Sequence, residues 1–160
     1  MPAPGLLRLQ RAYERIPYWP IAALARLLVG LVFFRSGLTK VDLPSLSVRP
    51  STFFLFEQEY KIRLPQALGL TGSELTMPFP HAAAYAGSVV EIVVPLLVWA
   101  GLGARVAASL LLAQTLVIET VYPDAYVEHG LWAVALLMLM RFGPGALSLD
   151  RVLGLEAEST

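Results

Sequence analysis

The chain has 160 residues, of which 56% are hydrophobic and only 15% charged, against roughly 25% charged in a soluble domain. Lys plus Arg and Asp plus Glu are equal at 12 each, and no basic patch or nucleic-acid motif is present, so nucleic acid is excluded as a partner. There is no cysteine, which excludes disulfides, thiolate metal sites and a dithiol relay; redox chemistry here would need a bound cofactor or a diffusible one such as a quinone.

Residues 1–20 carry Arg8, Arg11 and Arg15 ahead of any long apolar run. No small-residue cleavage site follows the first such run, which is therefore expected to remain as a helix. A bilayer core of about 30 Å takes about 20 apolar helical residues. Four segments qualify: 21–39, 82–100, 104–121 and 125–142. Backbone groups in lipid must be satisfied within the segment, so each of these runs is predicted to be a helix. Small residues (Ala83, Ala84, Ala86, Gly87, Ser88; Ala107, Ala108, Ser109) mark the second and third helices for close packing.

Between the first two helices lies a loop, 40–81, holding Pro44, Pro50, Pro65, Pro78 and Pro80 and the aromatic segment STFFLFEQEY at 51–60. A loop of this length is usually functional or disordered. Phe53, Phe54, Phe56 and Tyr60 beside Glu57 and Glu59 predict a short helix lying at the membrane surface, where a protein partner could dock. GLG at 101–103 is a tight turn, YPD at 122–124 breaks the chain again, and Gly143 with Pro144 stops the fourth helix. Ser148 is placed to cap a short helix after it. The predicted fold is all-α: one membrane domain over 1–160, an integral membrane bundle of four transmembrane helices with a long extracytoplasmic loop between helices 1 and 2.

Orientation follows Lys and Arg near the helix ends. Arg8, Arg11, Arg15, Arg105, Arg141 and Arg151 fall on one side, whereas the connection between the third and fourth helices holds only Glu119, Asp124, Glu128 and His129. Both termini are thus expected in the cytoplasm. Lys40, Arg49, Lys61 and Arg63 in the long loop run against this, but long loops obey the rule poorly.

Ionisable groups inside spanning helices cost roughly 2.5–3.5 kcal/mol each on insertion scales and mark candidate sites. Glu91 lies in the middle of the second helix with Pro95 four residues on, so the carbonyl that proline leaves without a donor is that of Glu91 itself. At about 1.5 Å per residue, Glu91 lies roughly 13 Å below the outer end of its helix and Arg35 roughly 6 Å below the outer end of the first. The gap is one arginine side chain, so Arg35 is the expected partner. Lys40, Gln114, Glu119 and His129 fall in the same outer half, and with Arg35 and Glu91 they form a candidate polar cluster inside the bundle. Three roles are open: a structural pair fixing helix register, proton transfer or binding of a polar headgroup, and a protonated, merely tolerated Glu91. Arg26 is expected to snorkel at the cytoplasmic end.

His81 and His129 are the only histidines. Two histidines can ligate haem, but no supporting motif accompanies them. Met77 with His81 offers two soft copper ligands, too few for a site, so no metal site is assigned. Trp19, Trp99 and Trp132 read as belt or packing residues, and no GxGxxG or phosphate loop is present.

The residues RLLVGLVFFRSGLTK at 26–40, FFLFEQEY at 53–60, GSVVEIVVPLLVWAGLGAR at 87–105 and HGLWAVALLMLMRFGPGALSLD at 129–150, in that order, resemble the DoxX family of small four-helix membrane proteins. The resemblance covers 20–152. It implies a multi-pass protein of a bacterial-type inner (plasma) membrane and a link to membrane oxidoreductase systems, among them quinone-reducing thiosulfate oxidation and complexes handling oxidative or sulfur stress. Arg35, Lys40, Glu91, His129 and Asp150 fall in its recurrent blocks, but it supplies no catalytic residues, so enzymatic activity is left open. Three functions follow as expectations: a membrane subunit of a quinone-linked oxidoreductase system, a non-enzymatic scaffold docking a partner at 51–60, and a small transporter or metal-handling protein. Four helices are few for alternating access, and a homo-oligomer would have to supply the rest.

Overall fold

The computed structural model describes residues 12–155; Arg8 and Arg11, used above for orientation, lie outside them. Helix α1 (Tyr18–Lys40) leads into the first connection. That connection opens with a hairpin, β1 (Val41–Asp42) and β2 (Ser47–Val48), in antiparallel register Val41 to Val48. Next come α2 (Pro50–Phe54) and a single π turn, Leu55–Glu59. A second two-residue pair, β3 (Lys61–Ile62) with β4 (Leu75–Thr76), encloses α3 (Leu64–Ala67). The chain then forms α4 (Pro80–Ala100), α5 (Ala104–Val121), a 3₁₀ turn at Pro123–Ala125, α6 (Tyr126–Phe142) and α7 (Leu149–Val152).

The four long elements, the last counted from Pro123, are long and apolar enough to cross a membrane. They close into a ring in which α1 packs on α4, α4 on α5, α5 on α6 and α6 back on α1. Val29 and Phe33, Val94 and Val98, Ala107 and Leu111, and Leu136 and Leu139 fill its centre. Leu24, Leu28, Val93, Leu110, Leu131 and Val134 point outward, as they must where the surrounding medium is hydrocarbon. Of the small residues marked for packing, Ala84, Gly87, Ser88, Ala107 and Ala108 are buried, whereas Ala86 and Ser109 face out.

Glycines of α1 let it approach α4 closely. A Cβ on Gly30 would overlap the Trp99 indole at Nε1, and one on Gly37 would stand 3.0 Å from the backbone carbonyl of Glu91. Trp99 uses the space beside Gly30 to donate to the Leu27 carbonyl at 3.2 Å. These contacts fix a stagger. Residue 30 is level with 99 and residue 37 with 91, so α1 ends beside the middle of α4 rather than beside its start. Pro80 stands eleven residues before Glu91, which places the start of α4 about 16 Å beyond that level.

At the end carrying the chain tail, Gly101 and Gly103 both take positive φ (65° and 56°), a backbone only glycine adopts cheaply. The tail closes this turn. Asp150 is buried, and its carboxylate accepts from the Gly103 N–H at 2.7 Å and the Ala104 N–H at 2.9 Å, capping the first turn of α5 from forty-six residues away in sequence. Arg26 does not snorkel: it is buried and donates to the Leu147 carbonyl at 2.5 Å. Ser148 caps α7 as its position predicts, accepting from the Arg151 N–H. Asp150→Ala is expected to cost about 0.5–2 kcal/mol, read as a lower thermal midpoint in detergent.

Candidate functional site

The stagger brings Lys40, the last residue of α1, to the level of Glu91. Its Nζ lies 2.5 Å from Glu91 Oε2 and donates to Ser36 Oγ, one turn back, at 2.8 Å. Both ions are buried, Lys40 at 7% and Glu91 at 2% exposure. Lys40 is held at both ends, because its carbonyl accepts from the Arg49 N–H at 2.9 Å and the Thr52 hydroxyl at 3.0 Å. A cation in the last turn also sits favourably at the negative end of the helix dipole. Gln114 Nε2 approaches Glu91 Oε1 at 3.5 Å. Pro95 removes the helical donor to the Glu91 carbonyl, and Gly37 is what packs against that carbonyl.

This pair forms the floor of a cavity of about 250 Å³ at the end of the bundle carrying the long connection. Val117, Ile118 and Val121 of α5, Trp132 of α6, and Phe56, Tyr60 and Met77 of the connection make its walls, with Tyr122 beside them. Val117 and Tyr122 line it while being 49% and 43% exposed. His129 also lines it and is bonded through Nδ1 to Glu119 Oε2 at 2.5 Å.

Of the cluster read from the sequence, Lys40, Glu91 and Gln114 make direct contacts, and His129 with Glu119 stands across the cavity from them. Arg35 is not among them. It is exposed on the outer face of α1, because the outer ends of α1 and α4 are not level. The equal-depth assumption that paired Arg35 with Glu91 fails, and Lys40, just over one turn further on, takes its place.

The aromatic segment is corrected as well. It folds down as a cover instead of lying open at a surface: Phe56 is buried with its ring edge 3.6 Å from the position a Cβ would take on Gly87, and Tyr60 is half-buried against it. Phe53 packs on the His81 and Tyr85 rings. Of its aromatic rings only Phe54 remains exposed, beside Ser51, Glu57, Gln58 and Glu59, so most of the apolar side proposed for docking packs within the chain. His81 pairs with Glu57, while Met77 faces the cavity. Among the described residues, no group of three or more His, Asp or Glu could hold a metal ion.

Sequence reasoning missed Ser36, Tyr122, the wall role of Trp132 and Gly37. Ser36 had a signal, one turn before Lys40; Tyr122 had none. Tyr60 meets Tyr122 edge-on at 6.0 Å. Burial first, then Tyr122, and then the charges of Glu91 and Glu59 push the Tyr60 phenol up to about 12 from its ordinary 10.0. The neutral phenol is thus the form the fold favours, and Tyr60 contributes stability below about pH 10 that is lost as pH rises towards 12. An absorbance titration at 295 nm should show one tyrosine ionising about two pH units late, and Tyr60→Phe should remove that phase.

The model of the family described as DoxX matches residues 21–123. No curated protein and no solved structure matches the chain.

Proposed function

The chain belongs to the DoxX family of membrane proteins, and with that as premise we propose that its cavity binds the ring headgroup of a quinone, the chain serving as a membrane subunit of a quinone-linked oxidoreductase system. The observation carrying this reading is a buried, charge-balanced Lys40–Glu91 pair on the floor of a cavity with aromatic and aliphatic walls. Drug-sized ligands occupy roughly 300–1,000 Å³. A cavity of about 250 Å³ suits one substituted ring, with a tail left to leave past the exposed Val117 and Tyr122.

The residues fit such a ring. Lys40 has one N–H beyond those given to Glu91 and Ser36 for a carbonyl oxygen. Trp132, Phe56 and Tyr60 offer faces and edges to a flat ring. A quinone supplies two-electron chemistry when bound, and this chain binds and orients it. The chain carries no thiol, so the electrons would come from a partner subunit. We place the protein in a bacterial-type inner membrane with both termini cytoplasmic. Arg15, Arg105, Arg141 and Arg151 at the tail end support that orientation.

The test uses full-length protein in lipid nanodiscs. Solvent extraction and mass spectrometry should recover a quinone, and added decylubiquinone should bind. Lys40→Met and Glu91→Gln should each weaken binding about tenfold or more, the loss of one charge-assisted contact, while Arg35→Ala leaves it unchanged. Folded wild-type protein that neither carries nor binds a quinone contradicts the reading.

A further inference from the structure

Two cavities meet at one residue. The loop-end cavity is lined by His129 but not by Glu119; a second cleft of about 170 Å³ between α5 and α6 is lined by both, together with Thr115, Leu116 and Tyr126. His129 is buried at 6%, and the Glu119 side chain is 24% exposed. Glu119 takes Nδ1, so the nitrogen left for a ligand in the loop-end cavity is Nε2. A carboxylate on Nδ1 also sets the tautomer, with the proton on Nδ1 and the lone pair on Nε2.

We propose that Glu119 and His129 form a proton-exchanging dyad joining the loop-end cavity to the α5–α6 cleft, and that the cavity's ligand is therefore one that releases or takes up a proton at a ring oxygen, as a hydroquinone does. This deepens the quinone reading and rests on it for the ligand. His129 is the residue that touches ligand; Glu119 acts through it as a positioning residue. In the direction of ligand deprotonation, the ring O–H breaks and an N–H forms at His129 Nε2. The imidazolium is balanced by the Glu119 carboxylate. The Nδ1 proton then passes to Glu119 Oε2, and Glu119 releases it to the cleft. The imidazole is left with its proton on Nε2, and the starting tautomer returns by proton exchange with water, Nε2 losing a proton and Nδ1 gaining one, once the ligand has left. One proton leaves the ligand and one enters the cleft; electron transfer is not part of this step.

The other charged and titratable groups around the dyad do not compete for it. Lys40 and Glu91 from α1 and α4 neutralise each other across the cavity. Tyr60 is held by Tyr122. Glu128 and Tyr126, on α6, and Asp124, just before it, are exposed. The ring of Trp132 lies 5.0 Å from that of His129 and shields it from the bundle centre.

The experiment has two arms on full-length protein in nanodiscs. In the first, a short-chain ubiquinol is titrated from pH 5 to 8. Wild-type affinity should change about tenfold across this range, and His129→Gln and Glu119→Leu should flatten the profile. Binding whose pH dependence survives in His129→Gln overturns the dyad but leaves the quinone reading standing. In the second arm, which needs no ligand, ¹⁵N spectra of the histidine rings are recorded. The chain has two histidines, so His81→Gln leaves His129 alone. Its proton should sit on Nδ1 at neutral pH and move to Nε2, or average between the two, in Glu119→Leu. A proton on Nε2 in the wild type overturns the proposal whether or not any quinol binds. Failure of the quinol to bind at all, with Nδ1–H observed, sinks the quinone as ligand and leaves the dyad standing.

Discussion

Lys40→Met alone should lower the stability of the folded chain by about 3–5 kcal/mol, the cost of leaving one member of a buried ion pair without its partner. Glu91 is 2% exposed, so water can replace the ammonium only in part. Its remaining neighbour, the Gln114 amide at 3.5 Å, is at the limit of hydrogen-bond length. Glu91→Leu should be comparably costly, because it strands the Lys40 ammonium with Ser36 alone. The double variant Lys40→Met/Glu91→Leu should recover most of the loss, since exchanging both ions for apolar groups of similar size is often neutral or stabilising. Ligand binding should not recover with it. That divergence, read by thermal or denaturant unfolding in detergent beside a binding assay, separates a pair kept for helix register from one kept for its ligand.

The second large effect is expected at Gly37. Its Cβ position lies 2.9 Å from Ile92 Cδ1 and 3.0 Å from the Glu91 carbonyl carbon and oxygen. The isoleucine methyl can swing away, but the carbonyl is backbone and is held by α4. Gly37→Ala should therefore cost about 1–3 kcal/mol, the usual cost of overpacking, and Gly37→Val more. Either change pushes α1 away from α4 at the level of the ion pair, so binding should weaken together with stability. Gly130 supplies the control. It lies within α6 and nothing stands within 4 Å of its Cβ position, so Gly130→Ala should be neutral or stabilise by up to about 1 kcal/mol through helix propensity.

The four spans were legible because hydrocarbon selects for apolar runs of fixed length, and that signal needs no knowledge of neighbours. Glu91 was legible for the same reason, as a charge where the run allows none. Its partner was not. Choosing between Arg35 and Lys40 depends on how far α1 slides along α4, and that is set by Gly30 seating Trp99 and Gly37 seating the Glu91 carbonyl. The aromatic loop was found by composition, yet its direction was misread. Phenylalanines beside glutamates look alike whether they face lipid or cover a cavity, and the deciding contacts, Phe56 over Gly87 and Thr52 on the Lys40 carbonyl, are long in sequence. Arg26 and Asp150 show the same limit: each is bonded to a residue far along the chain, which no local pattern records.

A double-mutant cycle between residues 40 and 91, measured by reversible unfolding in detergent, bears most directly on the polar centre. With single losses of about 3–5 kcal/mol each and most of the loss recovered in the double variant, the account predicts a coupling of at least about 5 kcal/mol, with a coupling near zero for the matching cycle between Arg35 and Glu91. Additive effects at 40 and 91, or coupling carried by Arg35, would contradict it.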